Sequence, residues 1–175
     1  MVIWITGISG TGKTTLGKHF YKCFKKENPS TIYFDGDKFR SLFKNDIKYS
    51  LKDRNTNAQR LTTLIKYLSN QNINIVISAN ITTFRFRKWC RKNIKNYVEV
   101  YIQTTKKNLA QRDYKNLYKM VLQKKIKNVV GIDMPFKKPS GCDLYLNNNK
   151  SKDDLLKNYN MILNLKKKKN TYNFN

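Results

Sequence analysis

The stretch Val2-Ile3-Trp4-Ile5-Thr6-Gly7-Ile8-Ser9-Gly10-Thr11-Gly12-Lys13-Thr14-Thr15 decides the fold. Val2 to Thr6 is an apolar run of strand length, and Leu16, Phe20, Cys23 and Phe24 then recur at helical spacing. Between them, Gly7 to Thr14 satisfies G-x-x-x-x-G-K-[ST], the phosphate-binding loop, placed where that pattern has a mechanism: after a strand and opening a helix. Glycines let successive backbone N–H groups face a phosphate, and the helix N-terminus adds partial positive charge. Gly7, Ile8, Ser9, Gly10, Thr11, Gly12, Lys13, Thr14 and Thr15 are therefore expected to hold ATP. Lys13 would reach the β- and γ-phosphates, and the Thr14 hydroxyl would ligate the accompanying Mg²⁺.

Outward from the loop, strand and helix patterns alternate. Strands are expected at Thr31–Phe34, Ile73–Ile77, Val98–Ile102 and Leu144–Leu146. Helices are expected from near Thr56 through Leu68, around Phe86–Ile94, over Asn108–Asp113 and over Asp153–Leu165, with a basic segment at Tyr114–Pro135. This alternation predicts an α/β fold whose parallel sheet is covered by helices on both faces. A length of 175 residues bounds the chain to one domain, over residues 1–165, followed by a polar, basic tail at 166–175 that reads as a frayed end.

Lys and Arg number 36 against 11 Asp and Glu, a formal net charge of +25, and such a field attracts phosphates of every kind. It fits an enzyme with two polyanionic substrates, a nucleic-acid binder, or a plain solvated surface. Three widely spaced cysteines and the single His19 exclude a disulfide scaffold and a Cys/His zinc site of ordinary spacing. The first residues read as a buried strand rather than a signal peptide, and no stretch has the apolar length of a membrane span, so the expected compartment is the cytoplasm.

A phosphate loop implies a bound nucleoside triphosphate; the acceptor side must say where the γ-phosphate goes. Asp35-Gly36-Asp37 follows the second strand, at the carboxyl edge of the sheet that also carries the loop. A carboxylate there can take a proton from an attacking hydroxyl. Asp37 is assigned that role, Asp35 supports it, and Lys13 completes the catalytic set. An Asx turn capping the next helix is the alternative for these two acids. Arg40 lies on the same side as Asp37, and Asp53, Arg54, Asn57 and Arg60 make a second polar cluster able to grip a diphosphate-like group. Arg112 to Lys127, with Arg112, Lys115 and Lys119, has the charge of a lid that excludes water during transfer.

These residues resemble the adenylylsulfate (APS) kinase family from Ile3 to about Pro139. The loop GISGTGKTT, the D-G-D-x-x-R of Asp35, Gly36, Asp37 and Arg40, and the D-R-x-x-N of Asp53, Arg54 and Asn57 carry the likeness. So does the lid run through Arg112, Asp113, Lys115, Leu117, Tyr118, Lys119, Ile126, Lys127, Asn128, Gly131, Ile132, Asp133 and Pro135. The resemblance implies transfer of the ATP γ-phosphate to the ribose 3′-hydroxyl of APS, in sulfate activation. It makes Asp37 the base and Arg40, Arg54, Asn57, Tyr49, Ile81, Thr82, Lys127, Val129, Gly131 and Ile132 the acceptor-binding residues.

Three positions depart from the family's usual pattern. Tyr49-Ser50 stands for Phe-Ser, Val129-Val130-Gly131-Ile132 for Phe-Thr-Gly-Ile, and Ile81-Thr82-Thr83 for Ile-Ser-Pro. All three lie at the acceptor site. The two phenylalanines sandwich the acceptor's adenine in the family, so an aliphatic Val129 removes half of a stacking platform. APS is the default acceptor that the resemblance implies, and these departures count against it. The alternative is cytidine diphosphoramidate, used in capsule modification by a relative of the family. A nucleic-acid-binding module would leave the loop, Asp37 and the lid without a role. The expected partners are thus ATP and a small anionic nucleotide, with neither nucleic acid nor membrane; a homodimer stays open.

Overall fold

The computed structural model describes residues 1–43, 46–80, 84–112 and 116–171. Five parallel strands run in the order β2-β3-β1-β4-β5: β1 Val2–Thr6, β2 Thr31–Asp35, β3 Asn74–Ser78, β4 Tyr97–Gln103 and β5 Leu144–Asn147. Because side chains alternate across a strand, each strand feeds two cores. Val2 and Trp4 of β1 join Ile75, Ile77 and Tyr97 on one face, covered by α3 (Leu51–Ser69) and α4 (Phe84–Asn93) through Leu61, Ile65, Cys90 and Ile94. Ile3 and Ile5 join Val76, Val98, Val100, Ile102 and Leu146 on the other. That face is covered by α1 (Lys13–Glu27), α7 (Lys152–Leu156) and α8 (Tyr159–Thr171), through Leu16, Phe20, Phe24, Leu155 and Ile162. Parallel neighbours need crossover helices, so every strand's carboxyl end points to one edge, and that edge carries the site.

The largest departures from the expected boundaries are at α3 and at the closing helix. α3 starts at Leu51, five residues before Thr56, because Ser50 caps it: the Ser50 hydroxyl accepts from Asp53 N at 3.2 Å and donates to Asp53 Oδ2 at 2.8 Å. Asp53 is thereby a helix-start residue that aims Arg54 and Asn57, and its carboxyl is held below the usual range chiefly by the Ser50 hydrogen bond. The closing helix is two, α7 and α8, and α7 opens with a full capping box between Ser151 and Asp154. α8 continues to Thr171, past the expected boundary at 165, since lysine is a good helix former without any apolar period. The short helices α2 (Gly36–Ser41), α5 (Lys106–Gln111) and α6 (Leu117–Leu122) lie around the site edge.

Glu99 of β4 is fully buried and paired with Arg87 and Arg91 of α4, with Arg91 also reaching Asp143 at 3.1 Å. This network ties α4 to the sheet. Beside it, burial and then Glu99 push the Cys90 thiol up to about 12 and the Cys142 thiol up to about 11, so neither is a thiolate nucleophile at neutral pH. Among the described residues no helix is long and apolar enough to cross a membrane.

α1 packs on β3 through Gly17. A Cβ there would lie 2.1 Å from Ser78 Oγ and 3.1 Å from Tyr33 Cε2, and Ser78 Oγ already donates to Lys13 O at 2.9 Å. Gly17→Ala should therefore lower unfolding stability by roughly 1–3 kcal/mol through overpacking. Urea denaturation measures this, and a loss within about 0.5 kcal/mol would mean that the helix sits further from the sheet.

Candidate active site

The phosphate loop closes on itself before α1 begins. Ile8 O accepts from Thr11 Oγ1 at 2.9 Å and from Lys13 Nζ at 2.8 Å, and Gly12 enters the helix at φ 94°, where a side chain would be strained. A Cβ at Gly12 would also meet Asn148 Nδ2 at 2.7 Å. Asn148, 94% buried, donates from that Nδ2 to Thr11 O at 3.0 Å, so the turn after β5 is stitched to the loop. Arg112 braces the same turn by donating to Asn148 O and Lys150 O, both at 2.7 Å.

At the end of β2 the two acids divide. Asp35 Oδ2 accepts from the Thr14 hydroxyl at 2.8 Å, while its Oδ1 accepts from Asp37 N at 3.1 Å and Lys38 N at 3.4 Å, capping α2. The Asx-turn reading thus describes Asp35, which also meets Thr14 of the phosphate loop. Asp37, in the first turn of α2, is exposed and lines the cavity. The Tyr33 phenol just beneath is pushed up to about 12, chiefly by burial.

Beyond Asp37 the cavity, about 810 Å³, opens toward α3 and the lid. Arg40 is 93% buried on α2 and its guanidinium carbon sits 4.5 Å from the centre of the Tyr49 ring, with that of Arg54 at 5.5 Å. Arg40 Nε and Nη1 and Asn57 Oδ1 are buried with no hydrogen-bond partner among the described residues. Buried guanidinium and carboxamide groups left unpaired are costly, so their positions suit a polar ligand. Arg54 donates to Tyr49 O at 3.0 Å and to Asn128 O at 2.6 Å, linking α3 to the lid. Burial, then Arg40, lowers the Arg54 guanidinium's pKa, against the pull of Asp37. Asp133 accepts from Asn128 N at 2.7 Å and Val129 N at 2.6 Å, shaping the lid turn.

Of the expected residues, Ser9, Gly10, Gly12, Lys13, Thr14, Thr15, Asp35, Asp37, Arg40, Tyr49, Arg54, Asn57, Arg112, Lys127 and Val129 all line this one cavity. Gly7, Ile8 and Thr11 stand behind its wall; Thr11 is fully buried. Gly131 and Ile132 do not reach the cavity either: a Cβ at Gly131 would meet the Ile8 side chain at 3.0 Å, so this turn packs on the back of the phosphate loop. Lys119 also lies off the cavity, on α6, which turns Leu117 and Met120 inward instead. Ile81, Thr82, Lys115 and Asp113 fall outside the described residues. Sequence reading missed Ser78, Asn80, Asn148, Lys150, Ser151, Lys152 and Leu155, which line the cavity from the ends of β3 and β5 and from α7 with its cap.

A phosphate loop, a threonine–aspartate pair at its mouth and a second acid facing an arginine-rich pocket on the same sheet edge define a P-loop phosphotransferase. The sequence pattern of the family described as adenylylsulphate kinase matches residues 1–147, and this chain belongs to that family of ATP-dependent nucleotide kinases. It is 37% identical over 147 residues to the cytidine diphosphoramidate kinase of Campylobacter jejuni, covering 84% of this chain and 85% of that one. It is 31% identical over 171 residues to the adenylyl-sulfate kinase of Buchnera aphidicola, covering 93% and 83%. The APS kinase of Mycobacterium tuberculosis, solved in complex with AMPPNP and APS, superposes with a TM-score of 0.82 at 26% identity, covering 94% of this chain and 95% of that one.

Proposed function

We propose that this chain transfers the γ-phosphoryl group of ATP to the ribose 3′-hydroxyl of a small nucleotide, with cytidine diphosphoramidate as the acceptor the site supports best. The bond from the acceptor oxygen to the γ-phosphorus forms as the bond to the β,γ-bridging oxygen breaks; the hydroxyl proton goes to Asp37 and ADP leaves. Lys13 and the loop amides hold the β- and γ-phosphates. Thr14 Oγ1 and the Asp35 carboxylate form an oxygen donor pair 2.8 Å apart that suits Mg²⁺, a hard cation bound by few protein ligands. When bound there, Mg²⁺ supplies neutralisation of charge on the transferring phosphate. Arg40, Arg54 and Asn57 grip the acceptor's phosphates, and the lid with Lys127 keeps water out so that transfer outcompetes hydrolysis.

The observation that carries the choice of base is the acceptor end of the cavity. Tyr49 is the one aromatic side chain among the described residues lining it, and the lid offers aliphatic Val129. Replacing one ring of a sandwich by a branched aliphatic removes an aromatic–aromatic contact, a loss that falls more heavily on a two-ring purine than on the smaller pyrimidine. The Campylobacter relative's name points the same way. APS is the second reading, favoured by the adenylyl-sulfate kinase likeness that spans 93% of the chain. The two readings imply different uses for the product, capsule modification in one and sulfate activation in the other.

A coupled ADP-release assay with each acceptor tests this. The expected result is a kcat/KM at least about tenfold higher for cytidine diphosphoramidate, the size of one lost stacking contact. The reverse preference would make the chain an APS kinase, and no ADP release with either would sink the acceptor reading.

A further inference from the structure

The end of β3 carries a polar side chain that neither Asp37 nor the phosphate loop uses. Asn80 lines the cavity, and its Oδ1 is buried with no hydrogen-bond partner among the described residues. The backbone before it is held from two sides. The buried Trp4 donates from Nε1 to Ala79 O at 2.9 Å, and the Asp35-Gly36-Asp37 turn rests on Ala79, where a Cβ at Gly36 would come within 2.7 Å of Ala79 Cβ. Asn80 is therefore presented by a rigid strand end. An acceptor oxygen kept dry and unpaired on such a support loses free energy unless a ligand donates to it.

Its place narrows which donor that is. β3 lies between β1, which leads into the phosphate loop, and β2, which ends at Asp35 and Asp37. Neighbouring strands are about 4.8 Å apart, so Asn80, two residues past the end of β3, and Asp37, two residues past the end of β2, enter the cavity from adjacent strand ends. The base-facing residues Tyr49 and Val129 belong to other elements, α3's start and the lid. The acceptor's phosphate oxygens are matched by Arg40 and not by a carbonyl, and the N–H donors of a diphosphoramidate sit at the far end of the 5′-linked chain, away from the ribose 3′-carbon. What remains beside the reacting 3′-hydroxyl is the 2′-hydroxyl on the adjacent ribose carbon, a donor within reach of a side chain one strand over.

We propose that Asn80 is a specificity-determining residue that accepts a hydrogen bond from the acceptor's 2′-hydroxyl, selecting ribonucleotides over 2′-deoxyribonucleotides and setting the 3′-hydroxyl toward Asp37. This rests on the 3′-hydroxyl kinase reading above and extends it to the sugar. No bond is made or broken at Asn80; its effect is on which sugar is held in line. A site built to pair a hydroxyl discriminates against the analogue lacking it, because its own polar group is then left unpaired.

The test is a cycle of enzyme and substrate changes. ADP release is measured for wild type, Asn80→Ala and Asn80→Leu, each with the ribonucleotide acceptor that wild type turns over and with its 2′-deoxy counterpart. Wild type is expected to favour the ribonucleotide by roughly ten- to a hundredfold in kcat/KM. Both variants should bring that ratio to near one, mostly by losing activity on the ribonucleotide, while the 2′-deoxy acceptor is used about as well as by wild type. Thermal melts that coincide with wild type show that the ratio, not the fold, has moved, and the nearly isosteric Asn80→Leu covers the case in which Asn80→Ala fails to fold. A ratio unchanged by substitution overturns the proposal and leaves the kinase reading standing. A wild type that turns over neither ribonucleotide acceptor overturns the acceptor reading and the proposal together.

Discussion

Lys13→Ala is expected to abolish phosphoryl transfer to every acceptor, lowering kcat/KM by roughly a thousandfold or more. The ammonium lies across the loop, donating to Ile8 O at 2.8 Å, so its charge is already at the mouth of the amide cradle when a triphosphate arrives. Phosphoryl transfer asks little covalent chemistry of the protein and much charge stabilisation. A cation that bridges the β- and γ-phosphates thus acts where charge shifts in the transition state. The fold should survive, because the core of α1 is built by Leu16, Phe20 and Phe24 and not by the lysine stem. A melting curve matching wild type, with no ADP released above background, is the expected pair of results. Activity above about a tenth of wild type would mean that Lys13 is not the phosphate ligand.

The parts of the site that sequence made legible are those whose chemistry is local. The phosphate loop is a backbone device written in consecutive residues, and Asp35 and Asp37 fall on the site edge because any strand-to-helix turn in a parallel sheet does. Tyr49 follows from the resemblance alone, whereas Arg54 and Asn57 also stand out as a polar cluster, and the folded chain gathers all three with Arg40 in one cavity. What stayed hidden depends on distant contacts. Asn148 reaches Thr11 across 137 residues, and in a chain this rich in asparagine and lysine nothing in the run Asn147-Asn148-Asn149-Lys150 marks one asparagine from the next. Arg112 lines the cavity as the basic run suggests, but its bracing of main-chain carbonyls leaves no trace in composition. Asp53 read as a member of a polar site cluster for a related reason. With Asp in place of the usual Glu or Gln, the helix-start signal at Ser50 is weak, and the cap is not visible in the sequence.

Asp37→Asn should leave ATP binding nearly unchanged and cut turnover by roughly a hundredfold or more. The case for Asp37 over Asp35 is one of position. Asp35 already accepts from Thr14 on one oxygen and from two backbone N–H groups on the other, so it is committed to the metal side and to the start of α2. Asp37 stands two residues further on, exposed to the cavity, with the Arg54 guanidinium close enough to feel its charge. A carboxamide of the same shape keeps the packing and removes the proton acceptor, so the loss should appear in kcat, with the KM for ATP within about threefold of wild type. The measurement is steady-state ADP release at varied ATP and saturating acceptor. A fall in kcat of less than about tenfold would mean that the loose, metaphosphate-like character of the transition state makes proton removal minor, leaving Asp37 to orient the hydroxyl. Wild-type turnover would remove it from the mechanism altogether.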